Sequence, residues 1–221
     1  MYNLIFLITI VITLASQAYI SSTYKKTKKI MAKSNLSGKE VARKILDENG
    51  LREIQIAMVP GDLSDHYDPA KKMVCLSPDI YENASLASVA VASHECGHAL
   101  QDKEGFAFLR VRRSMVPLVN FASKAGYVII LISVMMSLLK LLWVGIILEM
   151  VILLFQLVTL PVEFDASNRA LKQISQLRIV EETEHQSCKK MLTAAALTYV
   201  ASVATAILEI LRLLIVARRN N

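Results

Sequence analysis

Aromatic side chains are scarce in this chain: they make up 6% of its 221 residues, while 54% are hydrophobic. The apolar content is therefore aliphatic, and it is gathered into a few long runs. That distribution points to a membrane protein rather than a large soluble core. Cysteine is also scarce. Cys75, Cys96 and Cys188 are odd in number and widely scattered, which excludes a disulfide framework and fits a reducing compartment. No internal repeat or low-complexity segment stands out. The start of the chain lacks the basic region of a secretory signal peptide. Ser16-Gln17-Ala18 could serve as a cleavage site, but the lysines follow the first apolar run instead of preceding it. An uncleaved anchor with its C-terminal end in the cytosol is the better reading.

The formal net charge is +6. Much of it lies beside apolar runs: Lys25, Lys26, Lys28, Lys29 and Lys33 after the first, and Arg110, Arg112 and Arg113 before the second. This placement reads as a topology signal and a site of contact with lipid headgroups. No aromatic-plus-basic stripe or nucleic-acid motif accompanies it, so no nucleic-acid partner is expected.

Hydropathy divides the chain into five parts. Residues 1–24 form a transmembrane anchor around the charge-free run 3–20. Residues 25–117 form a small domain outside the membrane, which carries the motif described below. Residues 118–160 are twice as long as one span requires, and they predict a helical hairpin with spans near 118–139 and 142–160, Lys140 and Trp143 lying at the turn. Residues 161–190 are polar and helical, and residues 191–221 form an apolar C-terminal helix interrupted by Glu209 and Arg212. Those two are three apart, a spacing that suits an ion pair on a helix. The expected fold is a mainly α membrane protein with a small α+β domain. Within that domain, Ser37 and Glu40 make a capping box for a helix over 38–49 that ends at Gly50. Residues 53–59 alternate as a strand, Pro60-Gly61-Asp62 marks a turn, and Lys72–Leu76 reads as a second strand. A further helix starts near Asn83 or Ser85 and continues to about Gln101.

That last helix carries His94-Glu95-Cys96-Gly97-His98. On a helix, positions i and i+4 share a face, so both imidazoles can reach one metal ion. The glutamate beside the first histidine can then reach the attacking water rather than the metal. A chance match in a chain of this size has odds of about one in a hundred, and a match on a capped, apolar-flanked helix is rarer. The bland alternative is a pair of structural histidines. Gly97 would admit the close approach of another backbone or of the metal. Cys96 lies on a different face and reads as core.

A catalytic zinc takes three protein ligands and keeps one position open. The signature with a third His shortly after the motif does not apply, because Gln101 and Glu104 stand there instead. A glutamate from a later helix remains, so the α+β domain is expected to be zincin-like and of the gluzincin type. Glu163, in Leu160-Pro161-Val162-Glu163-Phe164-Asp165-Ala166-Ser167, is the best placed, since a two-span hairpin returns it to the side of His94 and His98. Its bland reading is a carboxylate at a helix N-terminus. Glu104, Glu181, Glu182 and Glu184 are weaker rivals in charged runs.

These residues carry a resemblance. The chain resembles the bacterial neutral zinc metallopeptidases of the YugP type, a family of membrane proteases. The matching stretches, in order, are Ser64–Pro69, Leu76-Ser77, Ala92–Gln101, Val158–Ser167 and Ala194–Ala201. It is more distantly similar to the HtpX-type membrane proteases. The resemblance implies one zinc ion bound by His94, His98 and Glu163, Glu95 as the catalytic acid/base, and a multi-pass protein of the bacterial cell membrane. The HtpX pattern has an aspartate four residues after the ligand glutamate, where this chain has Ser167. Asp165 or Ser167 would take over its supporting role.

The expected reaction is zinc-assisted hydrolysis of a protein or peptide substrate, membrane proteins included. His66, Tyr67, Arg169 and His185 are candidates for a second transition-state donor, His66 being the most distinctive. The Asp65–Asp68 stretch also reads simply as a turn. The strand over 72–76 is expected at a sheet edge, where an extended substrate could add to it. Two other readings compete: a non-catalytic scaffold holding structural zinc, and a peptidase of soluble peptides merely anchored to the membrane. The lysines after residue 24 put the catalytic domain in the cytosol. If residues 191–216 cross, Arg218 and Arg219 lie outside.

Overall fold

A computed structural model describes residues 2–136 and 138–219. The chain divides into two compact units. One comprises Tyr19–Phe106 and Val162–Ala196, and the other the residues up to Ala18, Ala107–Pro161 and those from Leu197 onward. The order of elements is α1 (Tyr2–Lys28), α2 (Gly38–Glu48), β1 (Gln55–Met58), β2 (His66–Asp68), β3 (Met73–Leu76), α3 (Pro78–Glu82), α4 (Leu86–Lys103), α5 (Ala107–Met135), α6 (Leu139–Gln176) and α7 (Glu182–Arg219). Four of these helices are long and apolar enough to cross a membrane: Asn3–Lys28, Ala107–Met135, Leu139–Gln176 and Glu182–Arg218.

In the first unit, α2 begins at its capping box. The Ser37 backbone N–H donates to the Glu40 carboxylate (2.8 Å), and the Glu40 N–H donates to Ser37 Oγ (3.4 Å). Val41, Ala42, Ile45 and Leu46 then bury one face completely. The turn after α2 has Gly50 at φ +68°, a conformation that glycine adopts without steric cost. The sheet has three strands in the order β1-β3-β2, with β1 parallel and β2 antiparallel to β3. Asp68 ends β2 by accepting from the Ala70 and Lys71 N–H groups, which turns the chain into β3. Asp65 anchors the far end, accepting from the Ser77 N–H at 2.7 Å.

The strand over 72–76 is therefore central and not at an edge. Its substrate-pairing role, expected above, falls because both of its sides are already hydrogen-bonded. The sequence reading missed β2: three residues between aspartates carry the signal of a turn, and pairing to Met73–Cys75 makes them a strand.

Ser85 caps α4 by accepting from the Ser88 N–H. Fourteen of the eighteen residues of α4 are buried, so it is the central helix of this unit. Its core partners include Ile45 and Leu46 of α2, Leu76 of β3, Ala170 and Ile174 of α6, and Met191 and Leu192 of α7.

In the second unit, Leu142 and Ile146 of α6 pack with Leu213 and Ala217 of α7. A Cβ at Gly145 would lie 2.5 Å from Ile130 Cγ1, so glycine is what allows α5 and α6 to approach so closely. Arg212 pairs with Glu209 (Nε to Oε2, 2.9 Å) and lies over the Phe6 ring, as their three-residue spacing predicts. The polar stretch 163–190 is not one helix. It breaks over residues 177–181, with Arg178 at φ +49°. Helix α6 instead runs without interruption through Pro161 to Gln176. Glu163 therefore lies inside a helix and not at a helix start, which removes the reading of it as a carboxylate serving a helix N-terminus.

Candidate metal centre

Helix α4 presents His94 and His98 one turn apart, with ring centroids 4.8 Å apart and ring planes at 83°. Glu163 of α6 faces both. Its Oε2 lies 3.2 Å from His94 Nε2 and 3.7 Å from His98 Nε2. The three ligand atoms all fall within 4.8 Å of one another. A tetrahedral zinc with bonds of about 2.0–2.1 Å separates its ligands by about 3.3 Å, so a small relaxation closes the triangle on one ion. All three side chains are largely shielded, and Glu163 is 4% exposed.

Gly97 makes this meeting of helices possible. A Cβ there would stand 2.4 Å from the Ala166 carbonyl oxygen. The backbones of α4 and α6 are thus in direct contact one residue from His98 and three from Glu163. A side chain at 97 would hold the carboxylate away from the imidazoles.

The outer ring nitrogens are tied down. Ser167 Oγ lies 3.2 Å from His94 Nδ1. His98 Nδ1 lies 3.0 Å from Gln101 Oε1. The orientation of the Gln101 amide follows from its other end, because its Nε2 donates to the Val162 carbonyl (2.7 Å) and to Asp165 Oδ2 (2.9 Å), both pure acceptors. Gln101 therefore turns its oxygen toward His98. That places the proton on His98 Nδ1 and the lone pair on Nε2, the atom facing Glu163. Asp165 is held in turn by Arg169 Nε at 2.5 Å, and Arg169 Nη1 reaches Glu104 at 2.6 Å. Gln101 is fully buried. The sequence reading named Gln101 only to exclude the third-His signature and gave it no role, although its place three residues after His98 on the same helix was the available signal.

Burial pushes the Glu95 carboxyl up. The adjacent imidazoles pull it down and the Glu163 and Asp65 carboxylates push it up, for a net rise. Burial disfavours a charged His98, but the facing Glu163 carboxylate and the charge of Glu95 outweigh that and raise its pKa. A carboxylate and two imidazole nitrogens that converge this closely would hold a divalent cation in place of a shared proton. Cys96 is fully buried, its thiol pushed up by burial and directed at the Ala42 carbonyl, as expected for a core residue.

The remaining candidates lie elsewhere or are engaged. His66 is exposed on β2, with Nδ1 2.7 Å from the Ser64 carbonyl. Tyr67 donates to Asp102 at 2.9 Å. His185 is half-buried in the first turns of α7. Of the rival glutamates, Glu104 pairs with Arg169, Glu181 pairs with Lys33, and Glu184 accepts from the Lys33 and Glu181 N–H groups. Glu182 is exposed.

A family profile described as "Putative neutral zinc metallopeptidase" matches residues 2–218, nearly the whole chain. The chain belongs to this family. A curated relative from Bacillus subtilis (strain 168), "Putative membrane protease YugP", is 41% identical over 201 residues, covering 91% of this chain and 89% of the relative. No solved structure matches the chain. Membership of a zinc metallopeptidase family implies zinc and a protein or peptide substrate. The triad of His94, His98 and Glu163 is a group that could hold such an ion.

Proposed function

We propose that this chain is a multi-pass endopeptidase of the bacterial cell membrane that binds one zinc ion through His94, His98 and Glu163 and uses Glu95 as its general base and acid. The observation that carries this reading is the position of one Glu163 oxygen against both histidine Nε2 atoms, from a helix 65 residues further along the chain. Zinc, when bound, supplies the Lewis acidity that polarises a substrate carbonyl and lowers the pKa of a water to about 7. Glu95 takes the proton from the attacking water at a carboxylate oxygen and delivers it to the departing amine. Ser167 and Gln101 hold the imidazoles in register. Arg169 is held between Asp165 and Glu104 and serves to position them, not as a donor to the transition state.

With the lysines after α1 on the cytosolic side, the unit carrying the site faces the cytosol. The pair α5 and α6 crosses out and back, and α7 crosses once more. A non-catalytic zinc scaffold is the competing reading, but a buried carboxylate at Glu95 has no role in it. The test compares detergent-purified wild type with Glu95→Gln for zinc content and for cleavage of casein and of co-expressed membrane proteins. About one zinc in each, with cleavage by wild type alone, is expected. Equal zinc with no cleavage by either protein would favour the scaffold. Wild type without bound divalent metal would defeat the proposal.

A further inference from the structure

A second cavity lies away from the metal centre, between the C-terminal part of α1 and the start of α7. It encloses about 300 Å³. Lys26 and Ser22 line it from α1, and Lys190 and Ser187 from α7. The Thr23 and Thr27 hydroxyls also line it, but they donate to backbone carbonyls within α1, at 2.8 Å each. The side-chain donors left to the cavity are the two lysines, the two serines and the Tyr19 hydroxyl. No carboxylate lines it, and among the described residues neither lysine has an ion-pair partner. A site furnished with cationic and hydroxyl donors selects an anion made of acceptors, and a phosphate fits that description.

The position of the cavity narrows the source. The charge-free run 3–20 ends two residues before Ser22, and the apolar run 191–216 begins directly after Lys190. Lys26 lies six residues past the first run, and Met191 and Leu192 after Lys190 are still buried in the core of the first unit, so both lysines stand on the water side of their apolar segments, about two helical turns along, from where a long lysine side chain extends toward the headgroup layer. Tyr19 and Ile30 add apolar wall to the same cavity, as a glycerol or upper acyl segment requires. We infer that this cavity binds the phosphate of an anionic phospholipid, clamped between Lys26 and Lys190 and seated on the serine hydroxyls. The lipid thereby bridges α1 and α7. This inference is independent of the zinc chemistry.

The experiment measures phospholipid retention by native mass spectrometry on the full-length protein. Wild type is compared with Lys26→Gln/Lys190→Gln and with Lys25→Gln/Lys189→Gln. The second pair removes the same charge from exposed positions of the same two helices, outside the cavity. Thermal midpoint and zinc content serve as controls for folding. Each protein is titrated with phosphatidylglycerol, with phosphatidylcholine and with inorganic phosphate. The cavity variant is expected to lose phosphatidylglycerol affinity by about 30-fold, and the control pair by less than about threefold. Competition by inorganic phosphate at concentrations matching the lipid would reassign the source to a soluble phosphate while keeping the anion site. Equal losses in the two variants, or equal binding of phosphatidylcholine, would overturn the inference.

Discussion

Replacing Gly97 with alanine tests the link between helix packing and metal binding most directly. The added Cβ would lie 2.4 Å from the Ala166 carbonyl oxygen, 3.0 Å from its carbon and 3.1 Å from its Cα. Ordinary contact begins near 3.4 Å. Because the obstacle is helix backbone and not a mobile side-chain tip, α4 and α6 must separate locally by about 1 Å. Overpacking of this kind costs about 1–3 kcal/mol of stability, seen as a lower denaturation midpoint. The larger effect falls on the metal. Zinc–ligand distances tolerate about 0.2 Å, so a shift of about 1 Å takes Glu163 out of reach and leaves two histidines. We expect zinc affinity, measured by competition with a chromophoric chelator, to fall at least about 100-fold. Gly126→Ala is the control. Its Cβ would meet Leu148 Cβ at 3.4 Å, and zinc binding should be unchanged. A Gly97→Ala protein that holds zinc as tightly as wild type would refute the argument that this glycine brings the third ligand to the histidines.

Two further outcomes follow from the same structure. Gln101→Leu keeps the volume but removes the acceptor for His98 Nδ1, and Gln101→Glu keeps an acceptor but sets a carboxylate against Asp165 and the Val162 carbonyl. Both should weaken zinc binding by about 10–100-fold without unfolding the protein, and an unchanged affinity in the leucine variant would show that Gln101 merely fills space. At the capping box, the Ser37 N–H and hydroxyl hold the Glu40 carboxyl below its usual range, so the bond stabilises the fold above the unfolded-state pKa and is lost as pH falls through the lowered folded-state value; Glu40→Ala should therefore cost about 1 kcal/mol near neutrality and progressively less in acid, and a pH-independent difference in denaturation midpoint would contradict this.

The parts of this protein that depend on local spacing were legible in the sequence. His94 and His98 four apart, a cap at Ser85, the capping box of Ser37 and Glu40, and the pairing of Glu209 with Arg212 are all short-range relations governed by helical periodicity. The apolar helices were legible too, because a bilayer imposes a length that composition alone reveals. Glu163 could be nominated by topology, since a hairpin returns the chain to the same side.

Tertiary contact decided the rest. Whether Glu163 starts a helix or lies within one depended on α6 continuing through Pro161. Whether His66–Asp68 is a turn or a strand depended on hydrogen bonds to β3, which also made β3 central. The amide of Gln101 acquired its meaning from Val162 and Asp165, more than sixty residues away. Sequence records which groups a chain carries and how they repeat along one element. The partners of a buried polar group come from other elements, and they became known only when α4 and α6 met at Gly97.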